Sequence, residues 1–182
     1  MQYQESDKDA LLSGGVGVLP TDTLYGIVGS ALNPDTVDRI YDLKQRDSRK
    51  PLIVLISAVS ELERFGVILS DALTLQLGNY WPGPHSIILP TIDEEFEYIH
   101  RGTDHIAFRL PDDEDLRALI AEVGPLVAPS ANVEGKPPAK NVAEAKNYFG
   151  TDVDFYVEGE DLEGRASTIM ELDGEEVRIV RE

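Results

Sequence analysis

Cysteine is absent from the 182 residues of this chain, and its absence excludes several kinds of chemistry. No disulfide, thiolate zinc site or cysteine nucleophile can form, which fits a reducing compartment. The chain has no apolar run close to the ~20 residues that a membrane span needs. Its first ten residues, MQYQESDKDA, are polar and acidic where a signal peptide has a basic start and an apolar core. We therefore expect a soluble, cytoplasmic protein that does not enter a membrane.

Positive charge is scarce, since 16 Lys and Arg stand against 34 Asp and Glu and give a formal net charge of −18. A chain this acidic is repelled by the phosphates of nucleic acids and anionic membranes, so broad binding to either is disfavoured. High solubility is the simplest consequence of the acidity. A local cluster of cations still attracts a small phosphorylated ligand, because at physiological salt a charge is felt over about 8 Å.

Several familiar catalytic motifs are missing as well. The three histidines, His85, His100 and His105, have no metal-ligand spacing. Neither G-x-G-x-x-G nor G-x-x-x-x-G-K-[ST] occurs, and no serine has an obvious His and Asp partner. The residues themselves give no support for a side-chain metal centre or for nucleophilic hydrolysis.

What is present is an alternation of strand and helix patterns over a length typical of one domain. Short apolar runs predict strands at 16–20, 51–56, 85–90, 105–111, 153–157, 167–171 and 177–180, with a further short strand in PLVAPSAN. Helical spacing predicts helices at 6–12, 34–45, 70–80, 112–123 and 141–149. No repeat or linker divides the chain, so we predict a single α/β domain over residues 1–182, with a mixed sheet and flanking helices.

The stretch LPTDTLYGI (19–27) places two threonines, an Asp and a Tyr directly after a buried strand. Open α/β sheets bind ligands just beyond the ends of strands. Thr23 can donate its hydroxyl to a substrate there, and Gly26 lets a ligand approach the backbone. A turn in which Asp22 and the hydroxyls only satisfy the local backbone fits the same residues equally well.

Residues 44–51 read KQRDSRKP and gather four of the 16 cations into eight residues with a single acid. Arg46 offers a planar fork suited to phosphate or carboxylate, and Lys50 offers a compact point charge. A solvated helix C-terminus, where cations complement the helix dipole, accounts for Lys44. It does not account for Arg49 and Lys50 beyond the helix, so the pattern favours an anion site.

Two further stretches put polar groups at the ends of strands. In HIAFRLP, Arg109 lies next to an apolar interior, where a guanidinium is costly unless it is paired or binds an anion. A structural ion pair is the alternative there. In APSANVEGKPPAK (128–140), Ser130 and Asn132 offer a hydroxyl and an amide, with Lys140 nearby. This set suits the phosphates or base edge of a nucleotide, and a polar turn explains it comparably well.

The stretch NYWPGPHSIILP (79–90) holds the only Trp, and two prolines flank Gly83 just before a predicted strand. This pattern is typical of a rigid corner with a packed Trp81. His85 and Ser86 follow at the entrance of the strand and are candidates to face a ligand.

Six motifs in order over nearly the whole chain resemble those of one family: PTDTLYGI, KQR…KPL, WPGP, R-x-P, PSAN…G and ST. The series is similar to the YrdC family of threonylcarbamoyl-AMP synthases. Each motif alone is weak, whereas six in this order are specific. The resemblance implies a YrdC-like twisted mixed sheet with a concave, positively charged ligand groove.

The resemblance also implies an enzyme of the nucleotidyltransferase class. Its reaction joins L-threonine, bicarbonate and ATP into L-threonylcarbamoyladenylate and pyrophosphate, with Mg²⁺ accompanying ATP. The product serves the threonylcarbamoyladenosine modification of tRNA through threonylcarbamoyl-transfer proteins, and the resemblance is compatible with tRNA contact. Such a reaction needs positioning and cations more than acid–base groups. The alternatives are an RNA-binding module and a same-fold paralogue acting on another carbamoyl or nucleotide substrate.

The resemblance further implies roles for individual residues. Arg46 and Lys50 match family positions that bind ATP, and we assign them the catalytic role of gathering its phosphates. The implied contacts to the threonine substrate are Thr23, Arg109 and Ser167. The other implied ATP contacts are Ser130, Asn132, Lys140 and Arg181.

This sequence departs from the usual motifs of the family in several places. Leu55 stands where many relatives carry His, WPGPHS replaces WPGPLT, and SANVEG replaces SANLSG. The terminal VRE lacks the Pro-Gly that follows the late Arg, which here is Arg181. These changes leave the implied ATP site intact and fall on the fine contacts to threonine.

Overall fold

The computed structural model describes residues 3–91, 93–173 and 176–182. Its strands are β1 (Gly17–Pro20), β2 (Tyr25–Ser30), β3 (Ile53–Leu55), β4 (His85–Pro90), β5 (His105–Arg109), β6 (Leu126–Val127), β7 (Phe155–Tyr156), β8 (Thr168–Asp173) and β9 (Glu176–Arg181). Its α-helices are α1 (Glu5–Leu12), α2 (Pro34–Lys44), α3 (Asp71–Leu77), α4 (Glu97–His100), α5 (Glu114–Val123) and α6 (Val142–Phe149). Short 3-10 helices cover Val59–Phe65 and Glu94–Phe96. No helix within these described ranges is both long and apolar enough to cross a membrane.

The strands form one mixed sheet in the order β7-β1-β2-β6-β3-β5-β4-β8-β9. The pairs β1–β7, β3–β5 and β4–β8 are parallel. The pairs β1–β2, β2–β6, β3–β6, β4–β5 and β8–β9 are antiparallel. The prediction of a mixed α/β sheet with flanking helices is confirmed.

Strand β2 is the one described strand that the sequence patterns do not predict, and helix α4 and the two 3-10 helices are not predicted either. The residues after Pro20 turn sharply, and Tyr25–Ser30 returns antiparallel to β1. Its two glycines lower its strand propensity, so the run does not resemble a strand. Gly29 is needed for packing, because a Cβ there would lie 2.4 Å from Cγ2 of Thr36 in α2. The stretch LPTDTLYGI is therefore the turn of a buried hairpin.

Helix α2 places the cation-rich loop. Its N-cap is Asn33, whose side chain accepts hydrogen bonds from the backbone N–H groups of Asp35 and Thr36 at 3.0 and 3.2 Å. The helix ends at Gln45, which adopts a left-handed conformation with φ 49°. Residues 46–52 then lead into β3, next to β5 and β6 at the centre of the sheet.

Buried apolar residues form two clusters, one on each face of the sheet. In β1, Val18 belongs to the larger cluster and Leu19 to the smaller one. In β3, Val54 and Leu55 divide in the same way, as the alternation of side chains along a strand requires. Arg109 pairs in register with Leu55, so its side chain leaves the sheet on the face of the smaller cluster. That face carries the functional groove.

Candidate functional site

A groove with a volume of about 130 Å³ lies where several strand ends and loops meet. Its polar lining comes from the β1–β2 turn, the loop after α2, the end of β5, the turn after β6, the segment before β8, and β9. The residues concerned are Thr21, Thr23, Arg46, Arg109, Ser130, Ser167 and Arg181. The structure thus brings together six of the residues predicted for the site, and adds Thr21.

Arg109 is the centre of the buried end of this groove and is only 4% exposed. Its Nη1 donates to the hydroxyl of Thr23 at 3.0 Å, and its Nη2 donates to the hydroxyl of Thr21 at 3.3 Å. Nη2 also lies 3.2 Å from Oδ1 of Asp22. The ion pair that Sequence analysis gives as the alternative for Arg109 therefore exists, and it lies at the groove. Pairing and ligand binding are compatible here.

In the pair of Arg109 and Asp22, burial favours the neutral form of each side chain, and the attraction between them opposes this effect. Burial lowers the pKa of Arg109, and the Asp22 carboxylate opposes that change. Burial raises the pKa of Asp22, while Arg109 and the backbone N–H of Asp112, 3.1 Å from Oδ2, favour its charged form. Among the described residues, Nε of Arg109 and Oδ1 of Asp22 are buried without a hydrogen-bond partner. The guanidinium thus retains an unused donor.

A pair of serines lies at the strand ends on the other side of the groove. The hydroxyls of Ser86 and Ser167 are 2.8 Å apart and both residues are buried. The Arg181 Nη2 donates to the carbonyl of Ser167 at 2.9 Å. Burial, and secondarily the charge of Arg46, lower the pKa of Arg181. Two guanidinium groups therefore share the open side of the groove.

Lys44 has a different role from the one its position at the end of a helix suggests. It is 2% exposed, so the expectation of a solvated cation at the helix end is wrong for this residue. Its ammonium donates to the backbone carbonyls of Ser130 and Asn132, the latter at 2.8 Å. Burial, with a smaller contribution from Arg46, lowers the pKa of Lys44 to about 7. Lys44 anchors the turn after β6 to the end of α2.

The other cations of residues 44–51 differ in their surroundings. Arg46 donates to the carbonyl of Pro51 at 3.1 Å and lines the groove. The Lys50 side chain is 55% exposed, lies outside the groove lining and pairs with Glu134. Arg49 is 88% exposed and pairs with Asp47 in its own loop. Arg46 therefore already faces the ligand space, while Lys50 is held beside it.

The PSAN turn is both a structural turn and part of the groove. The Ser130 hydroxyl donates to the Asn132 side chain at 2.6 Å, and the Asn132 amide donates to the carbonyls of Val133 and Lys136 at 2.9 and 2.8 Å. The Asn132 side chain forms hydrogen bonds with residues of the turn, and Ser130 lines the groove. Lys140 does not line the groove and pairs with Glu163 at 3.0 Å.

The acidic groups near the groove do not form a metal site. Within the residues that the structure describes, no group of three or more His, Asp or Glu side chains is placed to hold a metal ion. Asp22, Asp47 and Glu134 are engaged with Arg109, Arg49 and Lys50, respectively. Mg²⁺ binds proteins through one or two carboxylates plus substrate phosphates. These residues fit an ion that arrives on phosphates rather than one held by the chain alone.

The fold and the groove together define a class of protein: a mixed α/β domain with a groove that is lined by a buried arginine, Arg109, and by Arg46 of the cation-rich loop. The family model Sua5_yciO_yrdC, described as "Telomere recombination", matches residues 9–182. The chain therefore belongs to the Sua5/YciO/YrdC family, which confirms the resemblance found in its motifs.

Relatives named as threonylcarbamoyl-AMP synthases are about one third identical to this chain over the aligned residues. It is 32% identical over 154 residues to the threonylcarbamoyl-AMP synthase of Marinobacter nauticus, across 84% of this chain and 81% of the relative. It is 33% identical over 160 residues to the threonylcarbamoyl-AMP synthase of Cellvibrio japonicus, across 87% and 84%.

Solved structures agree with the fold. The structure of Sua5 from P. abyssi complexed with L-threonine superposes with a TM-score of 0.88 at 28% identity, over 96% of this chain and 52% of that one. This chain thus spans about half the length of that protein. The solution structure of MTH1692 from Methanobacterium thermoautotrophicum gives a TM-score of 0.75 at 32% identity, over 100% and 88%.

The structure gives Thr21, Asp22 and Ser86 roles beside Arg109 and Ser167 that the sequence does not predict. Thr21 and Asp22 stand in the stretch singled out for Thr23, and only the fold shows that they hold Arg109. Ser86 is a candidate in the sequence, but its hydrogen bond to Ser167 depends on the pairing of β4 with β8. The departure at Leu55 has a simple structural outcome, because its side chain is fully buried in the smaller cluster and does not line the groove.

Proposed function

We propose that this chain forms L-threonylcarbamoyladenylate and pyrophosphate from L-threonine, bicarbonate and ATP. The supporting observation is a buried guanidinium with an unused donor, Arg109, in the same groove as the cations Arg46 and Arg181. Relatives that carry the name of this synthase match more than four fifths of the chain. The groove thus offers one place for a small carboxylate and another for a polyphosphate.

In the proposed complex the threonine carboxylate binds Arg109, because charge-assisted hydrogen bonds to a guanidinium are the strong ones. Thr23 and the Ser86–Ser167 pair then lie within the same buried end and supply hydroxyls to the rest of the amino acid. The groove volume of about 130 Å³ is well below the roughly 300 Å³ of the smallest pockets that bind drug-sized ligands. It suits an amino acid, and the nucleotide must lie along the open side.

The proposed chemistry needs little from the chain beyond placement and charge. The threonine amine reacts with bicarbonate to give a carbamate and water. A carbamate oxygen then attacks the α-phosphorus of ATP, and the bond from that phosphorus to the bridging oxygen breaks, so pyrophosphate leaves with the electron pair. Arg46 and Arg181 at the groove and Lys50 beside it stabilise the charge of the phosphates. Ser130 contributes a hydroxyl to the nucleotide.

We propose that Mg²⁺ enters with ATP as part of the substrate, where it neutralises phosphate charge. The residues Asn132 and Lys140 have other partners in this structure, and their predicted contacts with ATP require a change on binding. The adenylate would pass to proteins that transfer the threonylcarbamoyl group to tRNA in the cytoplasm. A net charge of −18 disfavours strong contact with the tRNA itself.

One assay tests the proposal. The protein is incubated with Mg²⁺, ATP, bicarbonate and L-threonine, and both pyrophosphate and the adenylate are followed. We expect pyrophosphate release that depends on threonine. ATP turnover indifferent to threonine would instead support a paralogue with another substrate. Absence of turnover together with measurable RNA affinity would support an RNA-binding module.

A further inference from the structure

Glu134 joins the PSAN turn to the cation-rich loop. One carboxylate oxygen, Oε1, accepts a hydrogen bond from the Lys50 ammonium. The other, Oε2, accepts one from the backbone N–H of Asp47 at 2.7 Å. Lys50, then the Asp47 N–H, and more weakly Arg46 lower the pKa of Glu134, so the carboxylate is charged at neutral pH.

The two donors that Glu134 occupies are of the kind that phosphates use. Loops that bind phosphate offer backbone N–H groups together with a lysine or arginine. Here the ammonium of Lys50 and the N–H of Asp47 converge on one carboxylate, next to Arg46 in the groove wall. The carboxylate therefore takes the place of an anion in this loop.

Contacts that do not involve the Glu134 carboxylate also hold the shape of the loop. The Tyr41 hydroxyl donates to the carbonyl of Lys50 at 2.9 Å, and Arg46 donates to the carbonyl of Pro51 at 3.1 Å. The backbone N–H of Glu134 itself donates to the carbonyl of Lys44 at 2.8 Å, which positions the turn without the carboxylate. An ion pair whose lysine is half exposed adds little to stability. A structural role alone does not explain the carboxylate.

We propose that Glu134 is a tethered anion that competes with the phosphates of ATP and pyrophosphate for Lys50, and that it thereby limits the affinity of the groove for polyphosphates. This inference rests on the proposed function, because it requires a polyphosphate ligand. When the phosphates bind Lys50, the carboxylate is displaced and lies near a like charge. Glu134 therefore weakens the retention of pyrophosphate, a product that must leave.

The test is the substitution Glu134→Gln, which keeps the length and the acceptor for the Asp47 N–H but removes the charge. Dissociation constants for pyrophosphate and for Mg·ATP are measured by titration calorimetry. We expect both ligands to bind about five- to tenfold more tightly than to the wild type, the range of a single coupled charge. The matched control is Glu122→Gln, since Glu122 pairs with Lys8 at 2.6 Å between α5 and α1.

A second arm asks whether the effect passes through Lys50. In a Lys50→Met background, Glu134→Gln is expected to change the affinity for pyrophosphate by less than about twofold, because the competed cation is gone. An undiminished gain in that background would overturn the inference. Unchanged or weaker binding in Glu134→Gln alone would also overturn it. The carboxylate would then either stabilise the loop or contact the bound ligand.

The outcomes separate this inference from the proposed function. If the wild type binds neither Mg·ATP nor pyrophosphate, the proposed function is wrong and the inference falls with it. If the wild type binds both and releases pyrophosphate in a threonine-dependent way, but Glu134→Gln binds them no more tightly, only the inference is wrong.

Discussion

The two ends of the groove hold their charges in opposite ways. At the buried end, Arg109 is nearly inaccessible and is held by Thr21, Thr23 and Asp22. At the open end, Lys50 is 55% exposed and its partner is Glu134. Lys140 in turn is 51% exposed and pairs with Glu163, which is itself 77% exposed.

This difference indicates how an acidic chain can keep cations in and around one groove. Donors at the buried end are desolvated and oriented by folding itself, so they do not reorganise when a ligand arrives. The lysines beside the open end, Lys50 and Lys140, stay in solvent and are neutralised by acids of the same chain, with pairs that are weak enough to exchange. A fixed end suits an amino acid that must be oriented, and an exchangeable end suits a polyphosphate that must enter and leave.

The largest effect is expected from breaking the buried end with Arg109→Met. Threonine-dependent pyrophosphate release should fall at least ~100-fold, and the free energy of unfolding should fall by about 3–5 kcal/mol, because the buried carboxylate of Asp22 loses the cation that compensates its charge. Urea unfolding and the pyrophosphate assay measure the two effects. The double variant with Asp22→Asn should regain much of the stability but not the activity. A fully stable single variant would contradict this account.

The next effect concerns Lys44, which anchors the turn after β6 to the end of α2. Its pKa is about 7 in the folded protein and close to 10.4 when unfolded. Between these two pKa values the unfolded state binds one more proton than the folded state, so the free energy of unfolding rises with pH by up to about 1.4 kcal/mol per pH unit. Below pH ~7 Lys44 is charged in both states, and the folded state bears the full cost of burying the ammonium. From pH ~7.5 to ~9.5, wild type should gain about 2 kcal/mol relative to Lys44→Met in urea unfolding. Parallel pH profiles of the two proteins would refute the assignment.

The open end is tested by Lys50→Ala against Arg49→Ala. Both residues belong to the same loop, but Lys50 lies beside Arg46 and Arg49 pairs outward with Asp47. We expect kcat/KM for ATP to fall about 10- to 100-fold in Lys50→Ala and less than about twofold in Arg49→Ala. Both melting temperatures should stay close to that of the wild type, because exposed ion pairs add little stability. Wild-type turnover in Lys50→Ala would remove Lys50 from the site.

The smallest effect sharpens the buried end. Ser167→Ala removes one hydroxyl of the Ser86–Ser167 pair, which should lower the free energy of unfolding by about 1 kcal/mol. The KM for threonine should rise about five- to tenfold with little change in kcat. The control is Ser70→Ala, which removes the N-cap of α3 and should cost about 1 kcal/mol of stability without changing that KM. An equal rise in KM in both variants would make the Ser167 effect a matter of stability alone.

Much of the fold was predictable because it depends on neighbours along the chain. The helix cap at Asn33 depends on residues within one turn of α2. The side chains of Phe108 and Arg109 point to opposite faces of the sheet because side chains alternate along a strand. Strand β2 was not predictable in this way, since one of its two glycines, Gly29, is explained by its close approach to α2. The Ser86–Ser167 bond joins residues 81 positions apart and depends on the pairing of β4 with β8.

The sequence by itself determined the class of fold, the order of its motifs and the presence of a cation cluster in an acidic chain. Only the tertiary structure decided what each cation does. Arg46 faces the groove, Lys44 is buried under a turn, and Lys50 is held by Glu134. The physical reason is that charge and propensity belong to a residue and its near neighbours, whereas burial and ion pairing depend on which distant segments the sheet brings together.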